Sequence, residues 1–280
     1  ALCAVRGQRP VPLPLPAMSL INVHGVALEV RRIEGPTGPH TPSPLVFLHE
    51  GLGSVAMWRD WPDHLCAATG RAGVVYSRRG YGRSAPVPDV RGQGRLAPDY
   101  MHREAWEVLP ALLTRLGIER PVLVGHSDGG TIALLHASRH PVHACIVMAP
   151  HVIVEAVSVA SITQAREAYA RGLRERLARY HEDVDVAFWQ WNDVWLSEDF
   201  RAFDIREECR RISVPLLAIQ GEDDPYGTMA QIDEIAARAP QTRLLRLPAC
   251  GHSPHKDQPE AVNRSIRAFL DGCDSQQAPG

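Results

Sequence analysis

The chain has 280 residues, 45% of them hydrophobic and 22% charged, with a net charge of −2. Those proportions fit a globular chain with room for one large domain, or a domain carrying an insertion. The near-neutral balance excludes a global basic field for nucleic acid or an anionic membrane, and no run reaches the about 18 apolar residues of a membrane span.

Residues 1–17 carry several prolines that break any apolar core a signal peptide would need. Residues 1–18 read as a disordered leader, or as sequence upstream of a start at Met18, with the fold beginning at Ser19. Residues 20–23 and 26–32 flank His24-Gly25 and form an opening hairpin. Residues 45–48 make a short buried strand that ends in His49-Glu50-Gly51-Leu52-Gly53-Ser54. A helix over 57–68 leads to a strand over 73–76, which runs into Ser77-Arg78-Arg79-Gly80-Tyr81-Gly82-Arg83-Ser84. A helix over 100–116 precedes the strand 121–124, and a further strand spans 144–148.

From 151 to 211 the alternation of strand and helix stops, and the stretch is helical and aromatic. It reads as a helical cap inserted over the sheet. Strands resume at 215–220, followed by Gly221-Glu222-Asp223-Asp224-Pro225, and at 242–247, followed by Pro248-Ala249-Cys250-Gly251-His252. A helix over 260–270 closes the fold and leaves 273–280 as a flexible tail. The core is thus expected over 19–150 and 212–272. Apolar strands alternating with helices give an α/β fold with a mostly parallel central sheet and flanking helices, whose chemistry sits at the carboxyl ends of the strands.

The strand 121–124 runs into Gly125-His126-Ser127-Asp128-Gly129, and an apolar helix follows. Strand, sharp turn and helix turn a G-x-S-x-G pattern into a nucleophile elbow, with Ser127 held in a strained backbone conformation at a helix N-terminus. A serine hydroxyl needs a base, and the base needs an orienting acid. Asp224 and His252 supply these types, each just past a strand and in the order serine, acid, histidine. Asp224 is preferred to Asp223 or Glu222 as the third residue after Gly221, and His252 to His255 because it directly follows Gly251.

With these pieces the chain resembles the α/β-hydrolase fold family, of the capped serine hydrolase or esterase type. The similarity covers 19–270, on HEGLGS, SRRGYGRS, LVGHSDGG, IQGEDDP and CGHSPHKDQPE. The resemblance implies Ser127 as nucleophile, Asp224 as acid, His252 as base, and the backbone N–H groups of Gly51 and Asp128 as an oxyanion hole. The pattern departs at Glu50, where the family usually has glycine, and at Ser77, where it often has aspartate.

Carboxylates at Glu50 and Asp128 oppose a developing oxyanion, so they are expected to turn away or to meet neutralising partners. Those are loop backbone N–H groups or arginines such as Arg79, the reading preferred for Glu50. Asp128 has a second reading, in which it faces the pocket and binds a cationic substrate group. Phe188, Trp191 and Trp195 share one helical face, which either glues the cap to the core or in part roofs an apolar acyl or alcohol pocket. Glu50 and these three aromatics are therefore the expected substrate-binding residues.

His136, His140 and His143 lack a carboxylate or thiol companion, and Pro141 interrupts them, so they read as a solvated helix end. No metal or cofactor is implied. Six cysteines without a C-x-x-C pair read as free thiols in a reducing, cytoplasmic setting. The expected partner is a small-molecule substrate, with neither nucleic acid nor membrane, and the sequence leaves the oligomeric state open. Three functions fit: a carboxylic ester hydrolase foremost, a carbon–carbon bond hydrolase acting on a keto acid, or a slow ligand-sensing hydrolase-like receptor.

Overall fold

A computed structural model describes residues 18–38 and 40–277. Residues 1–17 of the expected leader and 278–280 of the expected tail lie outside the described residues. The first strand already includes Met18, one residue earlier than expected.

Strands β1 (Met18–Val23) and β2 (Val26–Ile33) form the expected hairpin. Its turn needs positive φ at both central residues, and His24 (51°) and Gly25 (83°) provide it. The remaining strands are β3 (Leu45–Leu48), β4 (Gly73–Tyr76), β5 (Val122–His126), β6 (Ala144–Met148), β7 (Leu216–Gly221) and β8 (Arg243–Leu247). They join in the order β1-β2-β4-β3-β5-β6-β7-β8. All pairings from β4 to β8 are parallel, while β1–β2 and β2–β4 are antiparallel.

Burial on both faces explains why the central strands read as unbroken apolar runs rather than as alternation. Leu45, Phe47, Val122 and Val124 point into the core shared with α1 (Trp61–Thr69). Their neighbours Val46, Leu48 and Leu123 point into the opposite core. That second core is roofed by α2 (Tyr100–Arg103), α3 (Leu109–Leu116) and α4 (Asp128–Ala137). The helix expected over 100–116 passes through a wide π-turn at Glu104–Val108. Pro110, which has no N–H to return to the carbonyl four residues back, stands just beyond it.

Between β6 and β7 come α5 (Ala156–Ala168), α6 (Arg174–Leu177), α7 (Val184–Trp195) and α8 (Arg206–Cys209). The first of these does not continue unbroken through the arginine-rich stretch. Gly172 adopts φ 102° and ends the run before α6. Asp183 caps α7 by accepting from the Val186 N–H at 2.9 Å.

After β7 come α9 (Ala230–Arg238), then α10 (Pro254–Asp257) and α11 (Pro259–Gln277). The last helix runs through the start of the expected flexible tail, because Val262, Ile266, Phe269, Leu270 and Cys273 keep one face buried against the sheet. The cysteines at 66, 145, 209, 250 and 273 are all buried and unpaired, and Cys3 lies outside the described residues. Among the described residues no helix is long and apolar enough to cross a membrane.

Candidate active site

The turn after β5 has the strain expected of it. Ser127 sits at φ 52° and ψ −121°, at the start of α4. Glycine is required on both sides by close approach. A Cβ on Gly125 would strike the Gly129 carbonyl, and one on Gly129 would strike the Leu48 carbonyl. The Ser127 N–H donates to the Met148 carbonyl at 2.9 Å, which fixes the elbow to β6.

The structure brings Ser127, His252 and Asp224 together. His252 Nε2 lies 3.0 Å from Ser127 Oγ. Its Nδ1 lies 2.9 and 2.8 Å from the two oxygens of Asp224. The acid is held in turn by Gln220 Nε2 at 2.8 Å and the Tyr226 N–H at 2.7 Å. Burial pushes the Asp224 carboxyl up, but hydrogen bonding and charge from His252 outweigh it and leave the carboxyl below its ordinary range. Neighbouring Asp223 is exposed. His255 is packed against Trp58, Trp61 and His126 with ring centroids 4.9 to 5.0 Å away, and it does not reach Ser127.

A cavity of about 130 Å³ opens on this group, lined by Glu50, Gly51, Asp128, His151, Trp191 and Trp195 among others. Gly51 belongs there for a steric reason, since a Cβ would strike the Trp191 indole. The carbonyl of Glu50 accepts from His49 Nδ1 at 2.6 Å and from Arg78 Nη2 at 3.1 Å. In a trans peptide the C=O and the next N–H point in opposite directions. Fixing the Glu50 carbonyl therefore aims the Gly51 N–H away from Arg78.

Glu50 finds partners other than those expected. Glu50 lies 3.5 Å from His126 Nδ1 and 3.9 Å from Lys256 Nζ, whereas Arg79 is exposed and bonds the Pro86 carbonyl. Burial raises the Glu50 carboxyl, yet His126, Lys256 and His255 together hold it well below its ordinary range. Asp128 is buried and accepts from the Tyr100 hydroxyl and from Trp195 Nε1 at 3.2 Å, with Arg78 4.0 Å away. Burial outweighs these partners, and its carboxyl is raised.

Trp191 and Trp195 line the cavity, but Phe188 does not. Phe188 is fully buried and stacks on Tyr169 with centroids 3.8 Å apart, so it serves the interior of the insertion. Three residues were not legible as site residues. Arg78 was visible only as a residue of the loop after the strand 73–76, His126 only as a variable position of the G-x-S-x-G pattern, and His151 had no motif of its own. Position immediately beyond β6 was the one signal that could have marked His151. Elsewhere His136 stacks on His140 at 4.7 Å, while His143 bonds Asp274 at 2.9 Å.

A parallel sheet with a strained serine at the carboxyl end of its central strand, and a histidine and acid on later loops, defines an α/β hydrolase. Residues 45–265 match the model of the alpha/beta hydrolase family. The chain belongs to that family. It is 27% identical over 266 residues to the "Putative carbamate hydrolase RutD" of Pseudomonas savastanoi pv. phaseolicola, covering 82% of this chain and 95% of that protein. It is likewise 27% identical over 259 residues to the "Esterase YbfF" of Escherichia coli, covering 82% and 94%. The crystal structure of the enol-lactonase from Burkholderia xenovorans LB400 superposes with a TM-score of 0.67 at 22% identity, covering 90% of this chain and 99% of that one.

Proposed function

We propose that the protein is a serine hydrolase that cleaves a small-molecule carboxylic ester through an acyl-enzyme. The observation that carries this reading is the continuous contact from Asp224 through His252 to Ser127 Oγ, all within 3.0 Å. In this mechanism His252 takes the hydroxyl proton, Ser127 attacks the acyl carbonyl, and Asp224 holds the imidazole in the working tautomer. The N–H groups of Gly51 and Asp128 receive the oxyanion, each worth about 3 kcal/mol in the transition state. His252 returns its proton to the leaving alcohol, and water then releases the acid by the same steps.

The insertion between β6 and β7 acts as a cap, with Trp191 and Trp195 as its roof over the acyl pocket. The cavity of about 130 Å³ falls below the about 300–1,000 Å³ of sites for drug-sized ligands, which favours short esters. A panel of nitrophenyl esters of rising chain length, with a matched carbamate, tests this reading. Burst release of nitrophenol with a preference for short acyl groups is expected. A single turnover ending in a stable adduct would support the sensing alternative instead.

A second reading concerns substrate charge. Asp128 lines the cavity, and burial raises its carboxyl against the pull of Arg78, Tyr100 and Trp195, so an ammonium on the substrate would favour its ionised form. Matched aminoacyl and uncharged esters decide it. If Asp128 binds the ammonium, Asp128→Ala lowers kcat/KM far more for the aminoacyl ester, whereas equal losses make Asp128 structural.

A further inference from the structure

His151 stands just beyond β6, in the wall of the cavity that holds Ser127 and His252. The residue is only 3% exposed, and its Nδ1 has no hydrogen-bond partner among the described residues. Buried polar atoms are almost always bonded in folded proteins, so an orphan on the wall of a cavity calls for a ligand group.

The orphan is held in place rather than left loose. The His151 N–H donates to Thr131 Oγ1 at 3.0 Å, and the Thr131 hydroxyl donates to the His151 carbonyl at 2.7 Å. The ring meets the indole of Trp195 edge-on with centroids 5.0 Å apart, and the His252 ring lies 5.9 Å away. On its remaining side Cε1 would lie 3.5 Å from a Cβ on Gly227. The imidazole therefore stands fixed in the cavity wall beside the proposed reacting groups, among aromatic side chains.

The charge state restricts what that ring can bind. Burial, aided by the neighbouring His252, lowers the ring to about 3, so it stays neutral around neutral pH. A neutral imidazole offers one N–H and one lone pair. It matches a hydroxyl or carbonyl and gives a carboxylate no countercharge.

We infer that His151 is a substrate-contacting specificity residue that hydrogen-bonds a neutral hydroxyl or carbonyl substituent carried by the ester. This rests on the ester-hydrolase reading above and adds a substrate class to it: small polar esters in preference to plain hydrocarbon ones. The small cavity keeps that substituent within a few bonds of the scissile carbonyl.

Two matched pairs of substrates test the inference on both arms of the ester. On the acyl arm, 4-nitrophenyl lactate is compared with 4-nitrophenyl propionate. On the alcohol arm, 2-hydroxyethyl butyrate is compared with propyl butyrate. Wild type should favour the hydroxyl member, by its kcat/KM ratio, about 10- to 100-fold on one arm. In His151→Phe that ratio should fall towards one, and in His151→Asn, which keeps a polar group near the place of Nδ1, it should be largely restored. A wild-type ratio near one on both arms would overturn the inference, as would a ratio that survives in His151→Phe. Turnover of the plain esters and labelling by a fluorophosphonate report the triad separately. Their absence in wild type would overturn the hydrolase reading and this inference with it, whereas normal turnover without hydroxyl preference would overturn the role of His151 alone.

Discussion

Arg78 Nη2 donates to the carbonyl of Glu50 at 3.1 Å, so a guanidinium from the loop after β4 sets the peptide plane that carries the Gly51 N–H. The same guanidinium stands 4.0 Å from the Asp128 carboxylate. Arg78→Met should lower kcat about tenfold to a hundredfold with little change in KM, because a misaimed donor is felt in the transition state. It also leaves Asp128 buried without its cation, which costs up to about 3–5 kcal/mol of stability. The double variant Arg78→Met with Asp128→Asn should regain much of that stability without regaining kcat. Recovery of kcat alongside stability would reduce Arg78 to a structural ion pair.

Ser127 and its strained turn were legible because local steric rules dictate them: glycines at 125 and 129, a strand before and a helix after. Asp224 and His252 were legible by order along the chain, since parallel strands deliver successive loops to one edge. Arg78 was not, because its hydrogen-bond partners are the backbone carbonyls of His49 and Glu50, which carry no sequence signal. The three-aromatic stripe on α7 misled for a related reason. Helical spacing puts Phe188 on a face with Trp191 and Trp195, but Tyr169 arrives from another element and closes over Phe188 alone. The extra turns of α11 were likewise decided by tertiary packing rather than local propensity, whereas the break at Gly172 is a local effect of a glycine at positive φ.

The assignment of the acid can be checked against its neighbour. Asp224 meets both sides of the His252 Nδ1 contact, while Asp223 faces solvent. Asp224→Asn should lower kcat about 10⁴-fold, through loss of the tautomer and of the charge that stabilises the imidazolium. Asp223→Asn should leave kcat near that of wild type. Stopped-flow acylation with a nitrophenyl ester reads both, and the reverse order of effects would refute the assignment.

Within the insertion, packing and selectivity should separate by residue. Phe188 is fully buried on Tyr169, so Phe188→Ala should cost about 3–5 kcal/mol of stability. Its effect on chain-length preference should be small. Trp191 packs over Gly51 at the cavity, so Trp191→Ala should extend the accepted acyl chain by several carbons. Thermal melts and the ester panel measured on the same preparations distinguish the two. A shift in selectivity with Phe188→Ala equal to that with Trp191→Ala would mean that the insertion acts as one deformable lid.

Buried histidines should weaken the fold in mild acid. Burial lowers His136 from 6.5 to about 4 and His151 to about 3, and it drives His49 and His255 well below 6.5. At these four positions the unfolded chain binds more protons than the folded one below about pH 6.5, so their contribution to stability falls as pH drops through that window, while the raised carboxyls of Asp128 and Glu104 act in the opposite sense. Above it these histidines are neutral in both states and the contribution is constant. Asp224 and Glu50 have lowered carboxyls, so what they contribute is still present at pH 5 and is lost only at lower pH. A group moved from 6.5 to about 4 takes about 2 kcal/mol from stability at pH 5. His136 is the clean probe, because it lies away from the cavity with Nδ1 on the Ala105 carbonyl at 2.9 Å. An asparagine amide at this position can donate to the same carbonyl. Urea unfolding at pH 7.5 and pH 5 should show a drop for wild type that is smaller by about 2 kcal/mol in His136→Asn. An equal drop in the two proteins would show that His136 is already protonated, or already exposed, in the folded state.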